Sequence, residues 1–148
     1  MMEINNLAKG YPLGRVDKKS FAQVAKKVLS GENRETELVS LAFVSKEEIA
    51  KLNKKFRKKN KATDVLSFEL GKPFDAAQGK NKFLGEIIIC PEVVKENAKK
   101  DGITAKKEIM KVFIHGILHL CGYDHEKTKK EAEIMESKQN LYLSKAIK

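Results

Sequence analysis

Apolar positions along the chain follow two periods, and the switches between them mark the elements. Phe21, Val24, Ala25 and Val28 recur at helical spacing, with Asp17 placed to cap that helix and Gly31 to end it. Leu38–Val44 is short, apolar and partly β-branched, which predicts a strand. Ser45 and Glu48 form a capping-box pattern, the serine oxygen and the glutamate each meeting an exposed backbone N–H. The helix they open puts Ile49, Leu52 and Phe56 on one face and lysines on the other. Phe56, and Phe68 further on, fit the hydrophobic pattern and read as core residues.

Asp64–Leu70 (DVLSFEL) and Phe83–Cys90 (FLGEIIIC) predict two strands. The turn-rich GKPFDAAQGKN between them predicts a long-looped hairpin. Pro91 suits the first turn of the next helix, where its missing N–H would be unpaired anyway. That helix ends near Gly102, and Thr104 caps the following one, from Ala105 to about Cys121. Its apolar positions Ile109, Met110, Val112, Phe113, Ile114, Ile117, Leu118 and Leu120 cover nearly every face, which predicts a central, buried helix. A last, ordinary exposed helix occupies most of Glu126–Ala146. With no repeat or linker, residues 1–148 read as one α+β or α/β domain with a small sheet.

Composition narrows the class. The length supports a core without disulfide or metal staples. Cys90 and Cys121 are too few for a secreted disulfide framework and suit a reducing, cytoplasmic setting. The N-terminus shows no basic segment followed by an apolar one, so no signal peptide is expected. The apolar stretch Val112–Cys121 is too short to span a bilayer, and no membrane partner is expected. Net charge is +10, and Lys51–Lys61 (KLNKKFRKKNK) holds seven basic residues and no acidic one. Such a stripe is the footprint of a polyanion partner; a lysine run in isolation reads equally well as a solvated helix face.

The three histidines of the chain all fall within His115–His125. His115 and His119, four apart, project from one helix face one turn from each other. Gly122 can end the helix, and the turn through Tyr123 and Asp124 can bring His125 back toward the same point. H-x3-H-x5-H thus offers three neutral nitrogen ligands and leaves a fourth position open, the pattern of a catalytic Zn²⁺ site. The alternative is three core histidines, each satisfied by a carbonyl. Cys121 points to a different helix face and reads as packing. Gly116 stands where zinc peptidases of the H-E-x-x-H type carry their general base, which disfavours that chemistry.

The motif HGILHLCGYDH (His115–His125) closely resembles the signature of the YbeY family of endoribonucleases. Leu52–Leu70 is similar to the family's arginine-containing block with its T-D-V-L-S-F strand, and LGEIIIC is similar to a third block. Together these cover roughly residues 38–140, leaving the first 35 or so without a signature. The resemblance implies a small α+β domain, a mixed sheet beside helices, with the metal site at the end of the buried central helix. It implies one Zn²⁺ on His115, His119 and His125, with Arg57 and His115 the candidates for catalysis. It further implies cleavage of single-stranded RNA, 16S rRNA 3′-end maturation, action on the small ribosomal subunit and ribosome quality control. Glu69 and Cys90 depart from the family's usual proline and serine, at strand ends.

Arg57 within the stripe suits a phosphate clamp, since guanidinium presents a planar fork of donors; otherwise it is one surface cation among lysines. Asp124 reads either as an orienting partner of an imidazole or as a turn residue. Thr63, Asp64 and Ser67 read either as cleft residues or as a plain strand start. Two rival functions stay open: a non-enzymatic RNA-binding assembly factor with a structural metal, and a zinc hydrolase or metallopeptidase acting on a non-nucleic substrate.

Overall fold

The computed structural model describes residues 2–6, 15–34, 37–69, 82–124 and 126–146. In chain order these form β1 (Met2–Asn6), α1 (Arg15–Gly31), β2 (Glu37–Phe43), α2 (Lys46–Arg57), β3 (Val65–Glu69), β4 (Lys82–Ile89), α3 (Pro91–Asp101), α4 (Ala105–Leu120) and α5 (Lys129–Ala146).

Local chemistry sets most helix boundaries. Ser45 Oγ accepts from the Glu48 amide at 3.2 Å, Thr104 Oγ1 from the Lys107 amide at 3.1 Å, and Thr128 Oγ1 from the Glu131 amide at 3.0 Å. Each hydroxyl satisfies a first-turn N–H that has no partner inside its helix. α3 opens on Pro91 and closes on Gly102 at φ +69°. α1 departs from expectation: it begins at Arg15, so Asp17 lies inside the first turn instead of capping it.

The strands make one four-stranded sheet in the order β1-β2-β4-β3. β2 runs parallel to β1 and β4, and β3 runs antiparallel to β4, so the sheet is mixed and the domain is α+β. The predicted hairpin pairs Val65 with Ile89 and Glu69 with Gly85; its GKPFDAAQGKN loop lies outside the described residues. β1, opposite Val39–Phe43, has no counterpart among the predicted strands. Between Leu38 and Val39 the pairing shifts from Phe83 to Gly85, leaving Leu84 as an extra, bulged residue.

Alternation along the strands gives the sheet two apolar faces. Val39, Leu41, Phe43, Ile87 and Ile89 join Phe21, Val28, Phe113 and Ile117 beneath α1, α4 and α5. Ala42, Val44, Leu66 and Ile88 pack with Ile49 of α2 on the other face. Phe21 centres the larger core, its ring 5.1 Å from Phe113 and 5.6 Å from Phe43. Two glycines let α4 lie close to β3 and β4. A Cβ at Gly116 would stand 3.1 Å from Ile87 Cγ2 and 3.2 Å from Ser67 Oγ, and one at Gly85 would strike the Phe68 carbonyl and Leu120. Position 116 therefore faces the packing surface of the sheet. A glutamate there would disrupt that packing, which strengthens the case against an H-E-x-x-H peptidase.

Candidate active site

One face of α4, the end of α2, the edge strand β3 and α5 enclose a cavity of about 690 Å³. His115 and His119 line it from α4, as their spacing predicts. Arg57, Thr63, Asp64 and Ser67 line it from the α2–β3 side, so the cleft reading of those three β3-side residues holds. Arg57 is the last residue of α2 and donates from Nη2 to the Ser67 carbonyl at 3.1 Å. This uses one of five guanidinium donors and occupies an acceptor on the open edge of β3. Asn53, buried on α2, donates from Nδ2 to the Lys61 carbonyl at 2.9 Å. Together with Lys58 in a left-handed conformation at φ 57°, that bond folds the second half of the basic stripe back over the cavity, where Lys59 and Lys61 reach the lining.

The imidazole of His115 is held from across the domain. Its Nδ1 lies 2.9 Å from Gln139 Oε1 on α5. An amide oxygen can only accept, so this contact puts the proton on Nδ1 and the lone pair on Nε2. Gln139 is 7% exposed and shares a buried face with Met135, Tyr142 and Leu143. α5 is thus not an ordinary exposed helix. The signal was the recurrence of 135, 139, 142 and 143 at helical spacing, masked by the charges between them.

The turn after α4 is built as a rigid corner. Gly122 adopts φ +106°, and the amides of Gly122 and Tyr123 return to His119 and Leu118 at 3.0 and 3.2 Å. Arg34 Nη2 donates to the Cys121 carbonyl at 3.5 Å, and Tyr123 donates its hydroxyl to Glu32 at 2.6 Å. That bond, with burial, pushes the Tyr123 hydroxyl up to about 12. Burial likewise pushes the Cys121 thiol up to about 11, in keeping with a packing role. Asp124 accepts the Glu126 amide at 2.8 Å, so it serves the turn. His125 lies outside the described residues.

Whether a zinc ion suits this site turns on its donors. Two imidazoles one turn apart line the same cavity, and one is oriented through its Nδ1 by Gln139; both features fit zinc. Among the described residues, no group of three or more His, Cys, Asp or Glu side chains stands close enough to hold an ion.

Two further features lay beyond sequence reasoning. Glu108, two turns before His115, lines the same cavity while 4% exposed. Phe56 is 54% exposed, which corrects its reading as core. At the end of α2 the apolar face has run past the sheet. The Phe56 ring lies edge-on to Phe68 at 5.2 Å, and the Lys55 ammonium stands 5.2 Å from its centre. Phe68 itself packs, half-buried, on the smaller core. Among the described residues no helix is long and apolar enough to cross a membrane.

Comparison with known proteins places this geometry among relatives. The family model described as Endoribonuclease YbeY matches residues 5–147. An Endoribonuclease YbeY from Thermotoga neapolitana is 39% identical over 97% of this chain and 87% of its own length. One from Aquifex aeolicus is 38% identical over 90% of this chain and 85% of its own. The solution structure of TM1509 from Thermotoga maritima superposes with a TM-score of 0.66 at 34% identity, covering 99% of this chain and 89% of the other.

Proposed function

The chain belongs to the YbeY endoribonuclease family, and from that membership we propose that it is an endoribonuclease that hydrolyses single-stranded RNA with the help of a zinc ion. One observation carries the reading: two histidines at ligand spacing and Arg57 share a single cavity rimmed by Lys59, Lys61 and Lys111. The lysines draw in the RNA backbone without reading its sequence. Arg57, steadied on Ser67, binds the scissile phosphate and stabilises the charge that builds on it. His115, His119 and His125 would hold the metal, and Gln139 keeps His115 in the coordinating tautomer. When bound, zinc supplies Lewis acidity at the phosphoryl group. Unpaired RNA suits such a cavity, because a flexible strand can bend one phosphate into it and a stiff duplex cannot.

The substrate we propose is rRNA, with action at the 3′ end of 16S rRNA and on the small ribosomal subunit, including its quality control, in the cytoplasm. The +10 charge and the basic stripe support a polyanionic assembly as partner. His119→Ala is expected to lose both zinc, measured by metal analysis, and cleavage of a single-stranded RNA. Arg57→Ala is expected to keep zinc while kcat/KM falls by about 10²–10³. Full chelator-resistant cleavage by the histidine variant would refute the metal role. Binding to ribosomal particles with no cleavage by zinc-loaded protein would favour an assembly factor.

A further inference from the structure

Glu108 is the only acidic residue of α4, and it lines the cavity among basic groups. Its Oε1 is buried and has no hydrogen-bond partner among the described residues. The Lys111 ammonium stands 4.0 Å away, beyond hydrogen-bonding reach, and Asp64 adds a second negative charge nearby. Native proteins rarely keep a buried acceptor unmade without a use for it.

Its position limits what that use can be. Seven residues along the same helix face separate Glu108 from His115, about 10 Å along the axis. That is too far for proton transfer at a phosphate held by Arg57 and a metal on the histidines. A second phosphate would be repelled by the carboxylate, and Lys59, Lys61 and Lys111 already serve the backbone. What a buried carboxylate accepts is a hydrogen-bond donor. Within a strand of RNA, the donors are the amino and imino N–H groups of the bases and the ribose 2′-hydroxyls.

We propose that Glu108 is a nucleotide-recognition residue, its carboxylate accepting a hydrogen bond from a base N–H or 2′-hydroxyl of a nucleotide flanking the bond that is cut. The proposal rests on the RNA-cleaving reading above and adds a contact that gives that site selectivity.

The test compares the full-length zinc-loaded protein with Glu108→Met, which fills the space without an acceptor, and with Glu108→Gln, which keeps a weaker one. Each is assayed on short single-stranded RNAs altered one group at a time around the cut: inosine for guanosine, purine riboside for adenosine, zebularine for cytidine, N1-methylguanosine and N3-methyluridine for the imino donors, and 2′-deoxynucleotides. At one position, removal of the donor should cost the wild type about tenfold in kcat/KM, a typical hydrogen-bond increment. Glu108→Met should abolish that penalty and Glu108→Gln should restore part of it. A penalty for a base N–H or for the 2′-hydroxyl identifies the donor. Thermal unfolding should show Glu108→Met at least as stable as the wild type. Equal penalties in all three proteins at every position would overturn the proposal, as would a lower melting temperature for Glu108→Met. If no RNA is cut, the endonuclease reading fails by itself. The same series read by fluorescence anisotropy then still decides the contact, and identical affinities across it would refute it.

Discussion

Two glutamates with little exposed side chain show how differently one residue type can be used. Glu32, just beyond α1, accepts hydrogen bonds from Tyr142 at 2.5 Å, Tyr123 at 2.6 Å and Lys138 at 3.3 Å. Glu108 has an oxygen that accepts none among the described residues, with one ammonium 4.0 Å away. Burial pushes both carboxyls up, but at Glu32 the three donors outweigh it and hold the group below its ordinary value. At Glu108 burial prevails, Asp64 and Asp101 adding to it against Lys111, and the group stays above. The same burial on the Tyr142 hydroxyl, joined by its bond to Glu32, pushes that group strongly upward. Burial alone therefore does not distinguish structure from function. What distinguishes them is whether the protein has supplied the partners itself, and Glu32 is a structural knot joining α1, α5 and the turn that leads to His125.

The strongest way to break this comparison is to remove each side chain and measure stability by urea unfolding. Glu32→Ala leaves the Tyr123 and Tyr142 hydroxyls without their acceptor and should cost about 3 kcal/mol. Glu108→Leu removes an unsatisfied group and should change stability by no more than about 1 kcal/mol, in the stabilising direction. Losses of similar size would erase the distinction. The smallest effect is in the pH dependence, where the two carboxyls should act with opposite sign. Glu32, with its folded value below the ordinary 4.5, contributes stability above that pH and loses it as the pH falls through the lowered value. Glu108, with its folded value raised, is a cost at neutral pH that disappears on acidification. Glu32→Gln should accordingly flatten the acid arm of the stability curve and Glu108→Gln should steepen it. Parallel curves would mean that neither carboxyl is perturbed as described.

Legibility in the sequence followed the range of the interactions. α2, α3 and α4 are readable because their caps, Ser45, Pro91, Gly102 and Thr104, act within four residues. The shared face of His115 and His119 is readable because helical spacing alone produces it. β1 is not, since five residues pair in parallel with a strand more than thirty positions away and no turn announces it. The contacts of Gln139 with His115 and of Tyr142 with Glu32 span 24 and 110 residues. No local pattern encodes them. Phe56 was misplaced for a related reason: helical periodicity says which face a residue shares, but not where the neighbouring sheet stops.

α4 brings a kinetic consequence. Phe113, Ile114, Ile117 and Leu118 are fully buried around the turns that carry both histidines, so the amides of that stretch should be among the slowest of the domain to exchange with solvent. Arg57 closes a helix whose last turn is exposed and whose next residue is left-handed, and amides there exchange through local opening. The two halves of the site consequently run on separate clocks. The histidine half persists as long as the fold does, while the arginine half can open and close many times within that lifetime, which would let a strand enter or leave without disturbing the core beneath it.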